Sequence, residues 1–268
     1  MTMQQTPLLR VENLVVTPKN DPSLTLVNDV SFDIHPGERV AIVGESGSGK
    51  SLTCFSVMGL LDPALQVSSG EISWEGRSTL SMTPSEHRRL LRTQLSMVYQ
   101  EPLTALNPLM SLGRQIKEGV PGVRDEDVLR ILDEVGMRDP QRVARAMPHE
   151  LSGGMRQRAM IAMAMVRQPR LLIADEPTTA LDVTIEYQVL KLMYELTERM
   201  NTALLFVTHD LGVVARLADR VIVMYLGEVV EEGETAEVLG APAHPYTKRL
   251  LAASSLATAR KLVLEEEK

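Results

Sequence analysis

The chain of 268 residues carries 28 Lys plus Arg against 35 Asp plus Glu, a net charge of −7, and 44% hydrophobic residues. That length allows one large or two small domains, and the apolar fraction supplies a sizeable core, which excludes a mostly disordered chain. The negative balance, with no local basic patch, excludes a general binder of nucleic-acid backbones. The single cysteine, Cys54, excludes an internal disulfide, a zinc ribbon or an iron–sulfur cluster, and fits a reducing compartment.

In chain order, the N-terminal MTMQQTPLLRVENLVV has no basic start followed by a continuous apolar core, so no signal peptide is expected. Leu8 to Thr17 and Val27 to Ile34 are apolar runs bounded by Pro and Asn/Asp clusters and predict strands. Pro36-Gly37-Glu38 turns the chain into a third strand, Arg39 to Val43, which ends in GESGSGKS, Gly44 to Ser51. Leu52 to Leu61 has helical character and closes before Asp62-Pro63. A strand at Gly70 to Trp74 and a polar helix around Pro84 to Arg92 lead to a strand at Leu95 to Tyr99.

From Glu101 to Pro148 the pattern changes to short helices punctuated by Pro and Gly, and an all-helical insertion is expected. Glu126 to Val135, for example, places Val128, Leu129, Leu132 and Val135 on one face. The last third alternates: helix Gly154 to Arg167, strand Leu171 to Ala174, helix Val183 to Met200, strand Ala203 to Thr208, helix Leu211 to Leu217, strand Arg220 to Tyr225. Helices between short β-rich runs imply βαβ units and a mostly parallel sheet. Met155, Met160, Met163 and Met165, at helical spacing, are expected to fill core. The longest apolar stretches, such as Ala159 to Val166, fall far below the roughly 18 residues of a spanning helix, so any membrane role must come through a partner.

Strand, glycine loop and helix in that order predict a phosphate cradle of Gly44, Glu45, Ser46, Gly47, Ser48, Gly49, Lys50, Ser51 and Leu52. Glycines let successive N–H groups curl around phosphate oxygens, Lys50 can reach the β- and γ-phosphates, and the Ser51 hydroxyl can ligate Mg²⁺. Alone, the loop says nucleotide binding and no more; a Gly-rich turn is the plain alternative. A second site lies where the buried strand Leu171 to Ala174 delivers Asp175 and Glu176 to its C-terminal edge, the place where ligands collect in open α/β sheets. Asp175 would hold Mg²⁺, directly or through water, and Glu176 would polarise an attacking water. Between the two lies LSGGMRQR, Leu151 to Arg158, just ahead of a helix. Ser152, Gly153 and Gly154 there would form another anion site at a helix N-terminus, or merely a helix cap.

LSGGMRQR resembles the signature sequence of ATP-binding cassette (ABC) ATPases, and the resemblance extends over about residues 8 to 250. Gln100 resembles the family's Q-loop glutamine, which senses Mg²⁺ and the attacking water. Ala180-Leu181-Asp182 resembles the D-loop, and His209, in VTHD, resembles the switch histidine that contacts the γ-phosphate. The resemblance implies an α/β fold: a RecA-like P-loop NTPase core with an antiparallel β subdomain and an α-helical insertion. It would occupy residues 1–250 as one domain, with core 1–100 and 159–240, insertion about 101–158, and a short extension 241–268. It further implies ATP and Mg²⁺ as ligands, catalytic roles for Glu176, His209, Gln100 and Lys50, and Mg²⁺ held by Ser51, Gln100 and Asp175. Two ATP molecules would be buried between two head-to-tail cassettes, the P-loop of one facing the signature of the other, so a second ATPase chain is required. ABC ATPases usually stack adenine on an aromatic upstream of the P-loop; this chain has Val15, Val16, Thr17 and Pro18 there.

YQEPLTALNP (99–108) and HPYTKRLL (244–251) resemble the oligopeptide, dipeptide and nickel importer ATPases. SLTC at Ser51 to Cys54 and GVVARLAD at Gly212 to Asp219 look most like the nickel-importing members. Partners implied are a paralogous ATPase chain, two permease subunits and an extracytoplasmic solute-binding protein, with no nucleic acid and a peripheral place on the cytoplasmic face of the inner membrane. Leu103 to Leu112, with exposed apolar residues and Asn107-Pro108, would form the docking groove for the permease. Rival readings are a soluble ABC ATPase acting on ribosomes or DNA, a P-loop kinase or GTPase, and a non-catalytic cassette. The missing coiled coil, the presence of LSGGMRQR, and intact Lys50, Asp175, Glu176 and His209 argue against these in turn.

Overall fold

The computed structural model describes residues 6–99, 105–118, 120–177 and 183–254. Gln100 and Asp182 lie outside the described residues. In chain order the first elements are β1 (Leu9–Pro18), β2 (Val27–Ile34), β3 (Arg39–Val43), α1 (Lys50–Met58), β4 (Leu65–Trp74), β5 (Arg77–Ser78), α2 (Pro84–Thr93) and β6 (Leu95–Val98). Three short helices follow, α3 (Leu112–Lys117), α4 (Asp125–Glu134) and α5 (Pro140–Arg145), then a 3₁₀ turn at Pro148–Glu150. The remainder is α6 (Gly153–Met165), β7 (Leu171–Asp175), α7 (Val183–Arg199), β8 (Ala203–Val207), α8 (Leu211–Leu217), β9 (Arg220–Tyr225), β10 (Glu228–Glu234), α9 (Thr235–Gly240) and α10 (245–254).

The chain divides into two compact units, one of Met1–Arg10, Asp33–Glu38 and Ser73–Phe206, the other of Val11–Phe32, Arg39–Ile72 and Val207–Lys268. In the second unit β9 runs parallel to β3, pairing Val40 with Arg220 through Val43 with Val223, and antiparallel to β10. Val40 to Val43 and Val221 to Met224 are all buried, as expected of strands covered on both faces. β1 lies between β2 and β4. Gly70 in β4 has φ 94, and a Cβ there would run into the carbonyl of Asn13, so only glycine lets these strands approach.

In the first unit β7 lies between β8 and β6 and is parallel to β6, Leu95 opposite Leu171 through Val98 opposite Ala174. α6 packs nearly all round: Ala159, Met160, Ile161, Ala162, Ala164 and Met165 are buried, while Met155 and Met163 are half-exposed rather than core. α7 buries Val189, Leu190, Met193, Leu196 and Thr197, one stripe at helical spacing. α4 buries Val128, Ile131 and Leu132, with Val135 just beyond its end. Between residues 105 and 152 the described regular elements are short helices and a 3₁₀ turn.

Three expectations need correcting. α1 stops at Met58, earlier than Leu61, because Gly59 adopts a left-handed cap with φ 62 whose N–H bonds back to Ser56. β4 starts at Leu65, five residues before Gly70. The expected docking groove is not uniformly exposed: Leu106 and Leu112 are buried, and of its described apolar residues Leu109 is the one turned fully outward, 84% exposed. The side chain of buried Gln115 explains the arrangement. Its amide nitrogen donates to the carbonyls of Asn107 (2.9 Å) and Met110 (2.8 Å) and its oxygen accepts the Asn107 N–H, so the loop is pinned with Leu109 at the tip.

Candidate functional site

β3 ends at Val43 and the chain turns sharply at Gly44, where a Cβ would collide with the carbonyl of Met224. Gly47 and Gly49 follow with φ 80 and 96, a conformation that any other residue would hold at a cost. Glu45, Ser46 and Gly47 form an exposed tip, while Ser48, Gly49 and Lys50 are buried and Ser51 and Leu52 half-buried. α1 opens on Gly49 with no side-chain cap and no acidic residue in its first turn, whereas Thr83, Ser152 and Asp210 cap α2, α6 and α8. A helix N-terminus without a side-chain cap or an acidic residue suits an anion such as phosphate. The Lys50 ammonium lies inside the loop, donating to the carbonyls of Gly44 (2.9 Å) and Glu45 (2.8 Å).

Two further contacts hold this loop. The tip of the β9–β10 hairpin is Leu226-Gly227, both at positive φ, and the Gly227 N–H donates to the Ser48 carbonyl at 3.1 Å. Gly227 in turn accepts from the Asn28 N–H at 2.8 Å. On the other side, the Glu45 N–H donates to the Tyr246 hydroxyl at 2.8 Å. His209 sits in the same unit, exposed, directly after Thr208, whose N–H donates to the Ile42 carbonyl of the strand that feeds the loop. Asp210 then caps α8, accepting from Gly212 N–H at 2.7 Å, so the histidine is carried on a short, braced turn.

In the first unit, Asp175 closes β7 and is 3% exposed, and Glu176 follows with φ 41. A non-glycine residue in that left-handed region is strained by about 1 kcal/mol or more, which a structure retains where a side chain must be aimed. Gln157, fully buried on α6, donates its side-chain amide to the carbonyl of Pro177, the next residue. Ser152 caps α6 by accepting the Met155 N–H at 3.4 Å, leaving Ser152 and Gly153 exposed and Gly154 half-exposed. Thus the helix that begins with the signature is tied at Gln157 to the turn that carries Asp175 and Glu176. Sequence reading assigned Gln157 no role, because its partner lies 20 residues away. Gly227 and Tyr246 were missed for the same reason, although Tyr246 stands in the HPYTKRLL motif.

Among the described residues no three His, Cys, Asp or Glu side chains gather to hold an ion. The Ser51 hydroxyl and the Asp175 carboxylate, each in its own unit, are hard oxygen donors of the kind that Mg²⁺ takes beside phosphate and water. A lysine held inside a glycine loop that opens an uncapped helix defines a P-loop nucleoside triphosphatase.

Comparison with known proteins narrows that class. Residues 27–179 match the sequence family described as ABC transporter. The oligopeptide transport ATP-binding protein OppD of Salmonella typhimurium is 46% identical over 252 residues, 91% of this chain and 75% of OppD. The peptidoglycan transport ATP-binding protein YejF of Agrobacterium fabrum is 46% identical over 92% of this chain, but the chain spans only 47% of YejF. In three dimensions the chain is similar to the ATP-binding cassette MJ0796 in a dimeric, post-hydrolysis state bound to ADP and Pi. That match has a TM-score of 0.73 and 26% identity and covers 85% of this chain and 98% of that one. The chain belongs to the ATP-binding proteins of the ABC transporter family, with the ABC ATPase fold, and it binds and hydrolyses ATP.

Proposed function

We propose that the chain powers import of short peptides through a membrane permease. The observation that carries this reading is the 46% identity to OppD over three quarters of that protein's length, and HPYTKRLL and YQEPLTALNP support it. Nickel, free or chelated, is the second cargo, favoured by SLTC at Ser51 to Cys54 and by GVVARLAD at Gly212 to Asp219. The chain would pair with a paralogous ATPase chain beneath two permease subunits, peripheral on the cytoplasmic membrane face, with an extracytoplasmic binding protein selecting the solute. Among the described residues no helix is long and apolar enough to cross a membrane, so attachment would run through the permease.

In the mechanism this implies, Gly44 to Leu52 hold the phosphates through backbone N–H groups, and Lys50 neutralises charge on the β- and γ-oxygens. Ser51, Asp175 and Gln100 would hold Mg²⁺, whose bound charge offsets that of the triphosphate. Glu176 accepts the proton of the attacking water as general base, and His209 donates to the γ-phosphate. Ser152, Gly153 and Gly154 close on the nucleotide of the partner cassette, with Asp182 across the same interface. Most of the rate gain is positioning and charge neutralisation.

The test is uptake of a labelled dipeptide and of radiolabelled nickel in the native cell, wild type against chromosomal Lys50→Ala. Loss of dipeptide uptake with intact nickel uptake is expected. The reverse result replaces the peptide reading with the metal one, and no change in either rejects both cargoes while leaving ATP hydrolysis in place.

A further inference from the structure

HPYTKRLL was legible as a family marker, yet the structure gives its tyrosine a physical task. Tyr246 is 1% exposed and is among the largest fully buried side chains. Its ring stacks on Tyr225, the last residue of β9, with centroids 4.2 Å apart and planes tilted by 31°, and the Arg249 guanidinium lies 5.9 Å from its centroid. Its hydroxyl accepts the N–H of Glu45 at 2.8 Å. Burial pushes the phenol above its ordinary value, so the oxygen stays neutral.

The delivery of Tyr246 is itself built. The Glu231 carboxylate of β10 accepts the N–H groups of Ala243 (2.7 Å) and His244 (3.0 Å), and His244 Nδ1 accepts the Tyr246 N–H (3.2 Å) at the start of α10. β10, the 243–246 turn and the first residue after Gly44 therefore form one hydrogen-bonded chain. On the opposite side the loop is held by Gly227 through Ser48. Between these two anchors lie Ser46 and Gly47, exposed.

We infer that Tyr246 is a positioning residue for ATP: it fixes the first turn of the P-loop from the C-terminal segment, so that the loop's amides are aimed before nucleotide arrives. This rests on the reading of Gly44 to Leu52 as the phosphate cradle. A preorganised cradle binds more tightly because less ordering remains to be done on binding. Tyr246 touches no reacting atom; it acts through Glu45.

The experiment compares the full-length wild-type chain with Tyr246→Phe, Glu231→Ala and Lys50→Ala, using calorimetric titration with MgATP and hydrogen exchange of the Glu45 amide. Tyr246→Phe keeps the ring and its stack and removes only the acceptor. It is expected to weaken MgATP binding about three- to tenfold, the worth of one hydrogen bond. It should also speed exchange at Glu45 at least tenfold, with the melting temperature within about 3 °C of wild type. Glu231→Ala, which frees the turn without touching Tyr246, is expected to move both readouts the same way. Wild-type affinity together with wild-type Glu45 protection in Tyr246→Phe overturns the inference. Unchanged affinity in Lys50→Ala instead overturns the cradle reading on which it stands. Should a variant fail to fold, the wild-type chain decides: Glu45 exchanging as fast as an unstructured amide shows that the hydrogen bond is not kept.

Discussion

At the start of β3, the Arg39 guanidinium meets the Asp219 carboxylate through Nε (2.9 Å) and a terminal nitrogen (2.6 Å), and each backbone also bonds across. Partial burial pushes Asp219 up, but the charge-assisted bonds from Arg39 outweigh it and hold the carboxyl below its ordinary 3.8. A carboxylate lowered by folding stabilises the native state fully above its unfolded value and loses that contribution as pH falls through the lower folded one. Asp219→Asn is therefore expected to reduce stability near neutrality by about 1 kcal/mol, the modest worth of a pair whose carboxylate is 44% exposed. The gap between wild type and variant should close as pH drops below 3.8. Urea unfolding at pH 7, 5, 4 and 3 checks this, and a constant gap would rule it out. This pair joins residues 180 positions apart, as Tyr246 reaches back 201 positions to Glu45. Such partners leave no trace in local spacing, whereas Lys50 stood out by its fixed offset from the glycines of Gly44 to Gly49, and Asp175, Glu176 and His209 because each follows a short apolar strand.

Elements were legible wherever both faces are buried. β3, β7, β8 and β9 are near-continuous β-branched or leucine runs, and their observed bounds lie within a residue of those expected. β10 and α9 were not foreseen, because EVVEEGE is an acidic, half-exposed edge strand whose only strand neighbour among the described residues is β9. Such a strand owes its existence to the Leu226-Gly227 hairpin rather than to a hydrophobic pattern. The loop before α3 was misjudged for a related reason: apolar identity alone does not say which leucine points inward. Leu106, 3% exposed, and Leu109, 84% exposed, now separate packing from docking. Leu106→Asp is expected to destabilise the chain by about 3 kcal/mol or more. Leu109→Asp should leave the melting curve unchanged and release the protein from membranes of the native cell in sedimentation. Retention on the membrane by Leu109→Asp would remove this loop from permease docking.

For the whole molecule, the sequence carries one P-loop and one signature. On the proposed mechanism a cassette that borrows the second half of each site would work as one of a pair, as the similar MJ0796 structure, itself dimeric, illustrates for that protein. Glu176→Gln is expected to cut ATP turnover by about 100-fold or more, the usual weight of a general base. With MgATP it should persist as an associated pair of cassettes, seen by light scattering as a doubled mass. Undiminished turnover would remove Glu176 from that role. Fold and chemistry were thus readable in outline from motifs, while the braces that hold the nucleotide loop became visible only in three dimensions.

Cys54, one turn into α1 beyond Lys50, is the chain's only cysteine and is completely buried. Thiol reagents reach exposed thiolates and spare buried ones, so the native protein offers almost no background to maleimide chemistry. A dye or spin label can therefore be placed at a single chosen surface position, such as the tip of the Leu109 loop, without first removing the native cysteine.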